Sequence, residues 1–305
     1  MTGSSGAELD ARLARVLTRE VHPAITAFAQ GLARENDAAG DAAVLFYGSN
    51  LRTGSLDGVL DYYLLLPGPA EKGLWPRVSY REWEHEGETL RAKIAAMSLA
   101  KFAEACRGDT LDTTIWARFV QPCALVHAGS ADVEGQVLAA LGQAARTAAR
   151  LAAACGPVSG TEEEFWRALF RATYKAELRV EKPGREDSIL QANAAHFAGL
   201  LPAALAAQGI AVESEAGGVI RPDLSPALRS SVLRWWNRRR RLGKPLNIAR
   251  LLRAARTFDG AGRYAAWKVE RHTGIHIPMT PWREAHPVLA APGVVWQLWR
   301  EGKLR

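Results

Sequence analysis

Cysteine is scarce: Cys106, Cys123 and Cys155 are the three in 305 residues. Their number is odd and no Cys-x-x-Cys occurs, so no disulfide framework is implied and a reducing, cytoplasmic setting is expected. No apolar run approaches the ~20 residues needed to span a bilayer. Residues 1–6 are small and polar. They lack the basic start and apolar stretch of a secretory signal and read as a flexible leader. Internal repeats and coiled-coil heptads are absent as well. What is present suits a packed core. Hydrophobic residues make up 48% of the chain and charged residues 23%, which excludes global disorder and allows one large domain or two ordinary ones.

Acidic charge is outweighed, giving a net +7, and the excess is uneven. Arg238, Arg239, Arg240 and Arg241 follow Trp235 and Trp236 directly, with Arg250, Arg253, Arg256 and Arg263 beyond. Such a region favours an anionic partner: a phospholipid surface, a nucleotide or nucleic acid. Leu233, Trp236, Leu246, Ile248, Leu251 and Leu252 have two readings, as core of a second domain or as a membrane contact. Core packing is the expectation for most of these apolar residues, and membrane or substrate contact for the arginine run.

Hydrophobic periodicity predicts a helix over 8–35, split or kinked at Pro23. Buried strands are expected at 43–47 and 59–66, and a hairpin at 77–83 and 89–95 turns on Glu86-Gly87. Ser98 is a helix N-cap, and Thr161 with Glu164 forms a capping box. Further helices are expected at 111–119, 133–154, 186–207, 226–239, 246–256 and 262–272, with a strand at 124–127 and a small hairpin at 210–212 and 218–220. The fold class is therefore α+β. A mixed sheet with flanking helices is expected over 1–130, a mainly helical, winged-helix-like domain over 131–270, and a Pro- and Trp-rich tail over 271–305.

The chemistry centres on Phe46-Tyr47-Gly48-Ser49-Asn50 and Leu60-Asp61-Tyr62-Tyr63. One buried strand ends in a glycine turn whose bare backbone can approach a triphosphate, and Ser49 adds a hydroxyl. The next strand brings a carboxylate, Asp61, able to hold Mg²⁺ against the same phosphates. This is the layout of a nucleotidyltransferase site, although a plain β-turn with a solvated Asp61 has the same local pattern. The usual second carboxylate falls two residues later, on the same strand face. Here that position is Tyr63, so another acidic ligand is needed: Asp57, Glu82, Glu84 or Glu177. His127 and His196 read as structural, and Gly274 between His272 and His276 argues against a helical zinc pair.

Several segments in order resemble the mitochondrial-type phosphatidate cytidylyltransferases of the translocator assembly and maintenance family. They are Phe46-Tyr47-Gly48-Ser49, Leu60-Asp61-Tyr62-Tyr63-Leu64, Arg91-Ala92-Lys93 through Ser98-Leu99, Trp116-Ala117-Arg118 through Pro122, and Tyr174-Lys175-Ala176-Glu177-Leu178-Arg179. Ala95-Ala96, Gln121 and Ala176 depart from the family pattern, and the likeness fades beyond about residue 205. The resemblance implies a nucleotidyltransferase domain with a winged-helix-like partner, joining CTP to phosphatidic acid to give CDP-diacylglycerol and pyrophosphate. It implies catalytic roles for Asp61, Glu177 and Lys93, with Mg²⁺ or another divalent cation on Asp61 and Glu177. Gly48, Ser49, Asn50, Arg118 and Arg179 would bind the nucleotide. Trp235, Trp236 and Arg238 to Arg241 would meet anionic phospholipid, on a cytoplasmic protein peripheral to the inner membrane face. The competing expectations are transfer to a soluble phosphate, RNA or protein, and a degenerate module that binds nucleotide or nucleic acid.

Overall fold

A computed structural model describes residues 2–37, 40–73, 76–176, 184–257 and 260–285, with parts of 289–300. The chain opens with helices α1 (Thr2–Leu17) and α2 (Pro23–Asn36), parted at the proline as its lost N–H requires. Then follow β1 (Ala43–Tyr47), the short helix α3 (Ser49–Thr53), β2 (Leu60–Leu66), β3 (Arg77–His85) and β4 (Glu88–Ser98). Helices α4 (Leu99–Cys106) and α5 (Thr114–Phe119) lead to β5 (Cys123–Ala128). The five strands form one mixed sheet in the order β3-β4-β2-β1-β5. Only β2 and β4 pair in parallel; the other neighbours are antiparallel. The β3–β4 hairpin turns on Glu86 and Gly87, both at positive φ (51° and 82°), which matches the twist of the flanking strands.

Alternation along the strands divides the core. Val44, Phe46, Tyr62, Leu64 and Ile94 face α2, where Ile25, Ala29 and Leu32 meet them. Ala43, Leu45, Tyr63, Leu65 and Met97 face the other way, onto α4, α5 and the long helix α6 (Ala131–Cys155). The small residues of α6, among them Ala140, Ala144, Ala148 and Ala152, are buried and let α1, α4, α5 and later helices approach closely. Each fully buried large side chain in this layer, such as Phe102 or Trp116, contributes about 1.5–3 kcal/mol through removal from water. The same cluster of buried side chains runs from Leu9 to Trp236, across the boundary expected near residue 130.

After α6 come β6 (Gly160–Thr161), α7 (Glu162–Ala176), α8 (Arg185–Ala192), α9 (Ala194–Phe197), α10 (Leu200–Ala206), β7 (Val212–Ser214) and β8 (Val219–Pro222). The short strands form a sheet ordered β6-β8-β7. The single helix expected over 186–207 is broken in two places, at Asn193 and at Gly199, whose φ of 76° leaves the helical region. Where two helices were expected, α11 runs unbroken from Pro226 to Thr257 through Pro245. Gly243 lets it touch the end of α7, since a Cβ there would lie 2.5 Å from the Ala176 carbonyl oxygen. Helices α12 (Ala261–Thr273) and α13 (Pro281–Ala285) follow. Among the described residues no single helix is long and apolar enough to cross a membrane.

Candidate active site

Gly48 ends β1 with φ 92° and ψ −160°, a conformation almost confined to glycine. A Cβ there would sit 3.0 Å from Asp61 Oδ2. The turn and the carboxylate are therefore in contact, and no side chain stands between them. Strand register extends the site sideways: Tyr47 pairs with Asp61, Asp61 with Lys93, and Lys93 with Tyr80. Parallel pairing of β2 with β4 thus sets a carboxylate and an ammonium side by side on one sheet face, although they are far apart in sequence. Burial raises the proton affinity of Asp61, against the opposing pull of Lys93 and Arg118. Burial also lowers that of Lys93, while Asp61 supports its charge. Burial is the larger influence on both groups, and the attraction between them opposes it.

Arg118 comes from α5. Its Nη1 donates to the Tyr63 hydroxyl at 3.1 Å, and its guanidinium lies 5.4 Å from the Tyr47 ring and 5.8 Å from that of Tyr63. Tyr63 therefore uses the position of an expected second carboxylate to hold a cation at the edge of Asp61. Behind it, buried Asp112 pairs with Arg250 of α11 and accepts from the Thr114 hydroxyl at 2.9 Å.

The remaining candidates divide. Ser49 begins α3, and its hydroxyl donates to Asn50 Oδ1 at 3.4 Å. Asn50 is buried, and its amide donates to the carbonyls of Ser55 (2.9 Å) and Asp57 (2.7 Å), shaping the loop between the turn and Asp61. The Asp57 side chain is exposed. Glu82 lies on the Asp61 face but accepts from Tyr80 and pairs with Arg91, and Glu84 accepts from Thr89. Glu177 and Arg179 lie outside the described residues. Among the described residues no cluster of three or more His, Cys, Asp or Glu side chains is arranged to hold a metal. His196 is packed with its Nε2 2.8 Å from the Val120 carbonyl oxygen, and burial pushes its pKa down to about 4.

The basic, tryptophan-rich stretch departs from the expectation of a lipid-facing surface. Trp236 is buried against Trp116, and Trp235 donates from Nε1 to the Gly108 carbonyl. Arg239 is buried too, donating to the carbonyls of Gly108, Thr110 and Trp235. The helical period explains this: 235, 236 and 239 share the inward stripe of α11, while Arg238, Arg240 and Arg241 are exposed.

Sequence reasoning missed the cover over this face. From α12, Tyr264 packs on Tyr80 with ring centroids 5.4 Å apart. The guanidinium groups of Arg91 (5.6 Å) and Arg271 (5.2 Å) both lie near the Trp267 ring. The available signal was the spacing of Tyr264, Trp267, Lys268 and Arg271, one stripe of a helix. No protein-family model matches the chain, and no curated protein matches it.

Proposed function

We propose that the chain is a metal-dependent cytidylyltransferase that joins CTP to phosphatidic acid, or a similar phospholipid, with release of pyrophosphate. The observation that carries this reading is the contact of the Gly48 turn with Asp61, flanked by Lys93 and Arg118. A glycine-only turn is suited to phosphates approaching the backbone, and the two cations are suited to their charge. A phosphomonoester oxygen of the acceptor attacks the α-phosphorus of CTP. The new P–O bond forms as the bond from that phosphorus to the β-phosphate oxygen breaks, and pyrophosphate departs. The acceptor is already anionic, so positioning and charge neutralisation are the main requirements. Lys93 and Arg118 offset the repulsion between the two anions, and Gly48 and Ser49 hold the triphosphate in line.

Asp61 offers the hard oxygen donor that Mg²⁺ prefers, and one or two carboxylates plus substrate phosphates are a usual donor set for that ion. Among the described residues Asp61 is the one such donor at the turn, and Glu177 is the proposed second ligand of a divalent cation. When bound, such an ion polarises phosphoryl oxygens and offsets charge on the leaving group. The lipid acceptor rests on the family resemblance and on the exposed Arg238, Arg240 and Arg241. A nucleic-acid role has less support. Taken as a winged helix, the chain would read with α10, whose residues Leu200–Ala206 are all apolar or proline and carry no side chain able to hydrogen-bond a base edge. The test is purified protein with Mg²⁺, labelled CTP and phosphatidic acid vesicles. A CDP-lipid is expected, and Asp61→Asn should lower its rate about a hundredfold or more with the fold intact. An unchanged rate in that variant removes Asp61 from the site. Salt-sensitive RNA binding without any lipid product favours the nucleic-acid reading.

A further inference from the structure

Tyr63 lies two residues beyond Asp61 on the same strand face, at the position where paired-carboxylate sites carry their second acid. Its side chain is buried. Other aromatics wall in the ring: Tyr47 at 5.6 Å, Phe119 at 5.0 Å and Phe102 at 6.4 Å between centroids. Packing of this kind leaves the phenol little room to swing, so its hydroxyl is a fixed point. That point accepts from Arg118 Nη1 at 3.1 Å. The same guanidinium lies near the ring of Tyr47, the residue before the Gly48 turn, and within electrostatic reach of Asp61.

Arg118 benefits from such fixing. A long arginine side chain gives up rotamer freedom when it binds an anion, and a site that holds it in advance loses less affinity. Its helix, α5, is only six residues long. Asp112 anchors the start of that helix, accepting from the Thr114 amide (3.2 Å) and hydroxyl (2.9 Å) while paired with Arg250 of α11. Arg118 follows Thr114 by about one helical turn. The backbone of α5 is therefore pinned at its start, and Tyr63 meets the guanidinium at its end. A carboxylate at position 63 would bring negative charge to this place. The phenol offers a lone pair instead, and sets a cation there.

We infer that Tyr63 is a positioning residue, whose hydroxyl orients Arg118 so that the guanidinium meets the phosphates of a nucleotide held at the Gly48 turn. The inference deepens the proposed nucleotide site and rests on that reading for the ligand. Its test combines CDP-lipid kinetics with titration calorimetry of the full chain against CTP in the presence of Mg²⁺. Tyr63→Phe removes one oxygen and keeps the ring. KM and Kd for CTP should rise about tenfold, as for loss of a hydrogen bond to a charged group, with kcat within about threefold of the parent. In an Arg118→Met background the same change should alter Kd by no more than about twofold, because the group it orients is gone. A purely structural role gives a different pattern: fewer active molecules, hence a lower kcat and a lower calorimetric stoichiometry, with KM and Kd unchanged. Parent-like Kd in Tyr63→Phe, that structural pattern, an equal loss in the Arg118→Met background, or no CTP binding by the parent overturns the inference. An Arg118-dependent loss of CTP affinity in a protein that forms no CDP-lipid supports the positioning role and removes the cytidylyl reading. CDP-lipid formation by Tyr63→Phe with undiminished kcat/KM for CTP does the reverse.

Discussion

Replacing Gly48 by alanine probes the site through the backbone. The residue sits at φ 92°, ψ −160°, where an L side chain costs about 1–3 kcal/mol. The added methyl also arrives 3.0 Å from Asp61 Oδ2, so the carboxylate must move. Gly54 is the matched control. It too has a positive φ, 69°, but sits in the left-handed helical region with open space around a Cβ, and alanine there should cost about 1 kcal/mol. Urea denaturation should find Gly48→Ala less stable than Gly54→Ala by about 1–2 kcal/mol. A kinetic difference should accompany it. The Asp61 carboxylate must give by a few tenths of an ångström, which should lower kcat/KM for CTP about tenfold, with Gly54→Ala near the parent. A cycle with Asp61→Ala separates the two contributions. Removing the carboxylate should recover about 0.5–1 kcal/mol of the Gly48→Ala stability loss and leave the backbone cost. Equal stabilities and equal kcat/KM for the two glycine variants would refute the claim that the bare turn and Asp61 form one site.

Other perturbations reach the supporting structure. His196 is neutral in the fold, with a pKa of about 4 against an ordinary 6.5, so the unfolded chain binds the extra proton between those values. Stability should therefore be lost as pH falls through that window, by about 2–3 kcal/mol more in the parent than in His196→Gln, read from denaturation curves at pH 7 and pH 4. Parallel pH profiles for the two proteins would contradict it. Arg239→Ala should cost about 2–4 kcal/mol, because it strips donors from the buried Gly108 and Thr110 carbonyls. Arg238→Ala, on the exposed face, should stay within about 0.5 kcal/mol of the parent. Glu71 accepts from the Ser98 amide (2.6 Å) and hydroxyl (2.5 Å) at the start of α4, and Glu71→Ala should cost about 1–2 kcal/mol by thermal or chemical melt.

Local chemistry was legible where it is self-contained. The hairpin at Glu86-Gly87 and the Ser98 cap follow from turn and capping rules. So does the reciprocal bonding of Thr161 with Glu164. Two strongly apolar strands, 43–47 and 60–66, the second interrupted only by Asp61, lie in the sheet interior, where both faces are covered. What depends on tertiary context was not legible. Pro245 lies within a continuous helix, and Gly199 breaks one that periodicity carries straight through. The adjacency of Asp61 and Lys93 depends on a parallel pairing that no local pattern encodes. Four consecutive arginines look alike in composition, yet helical phase buries Arg239 and exposes its neighbours. The docking of α12 on β3 relies on Gly260 meeting the Tyr80 carbonyl, a contact across most of the chain.

The most direct measurement follows the phosphorus. Purified protein is incubated with Mg²⁺, phosphatidic acid vesicles and CTP labelled in parallel reactions at the α- or the γ-phosphorus. Label from the α-position should enter the extractable lipid, with an equal amount of pyrophosphate released, while γ-label stays in the aqueous phase. An unlabelled lipid in both reactions, or γ-label in the lipid, would contradict cytidylyl transfer by the Gly48–Asp61 site.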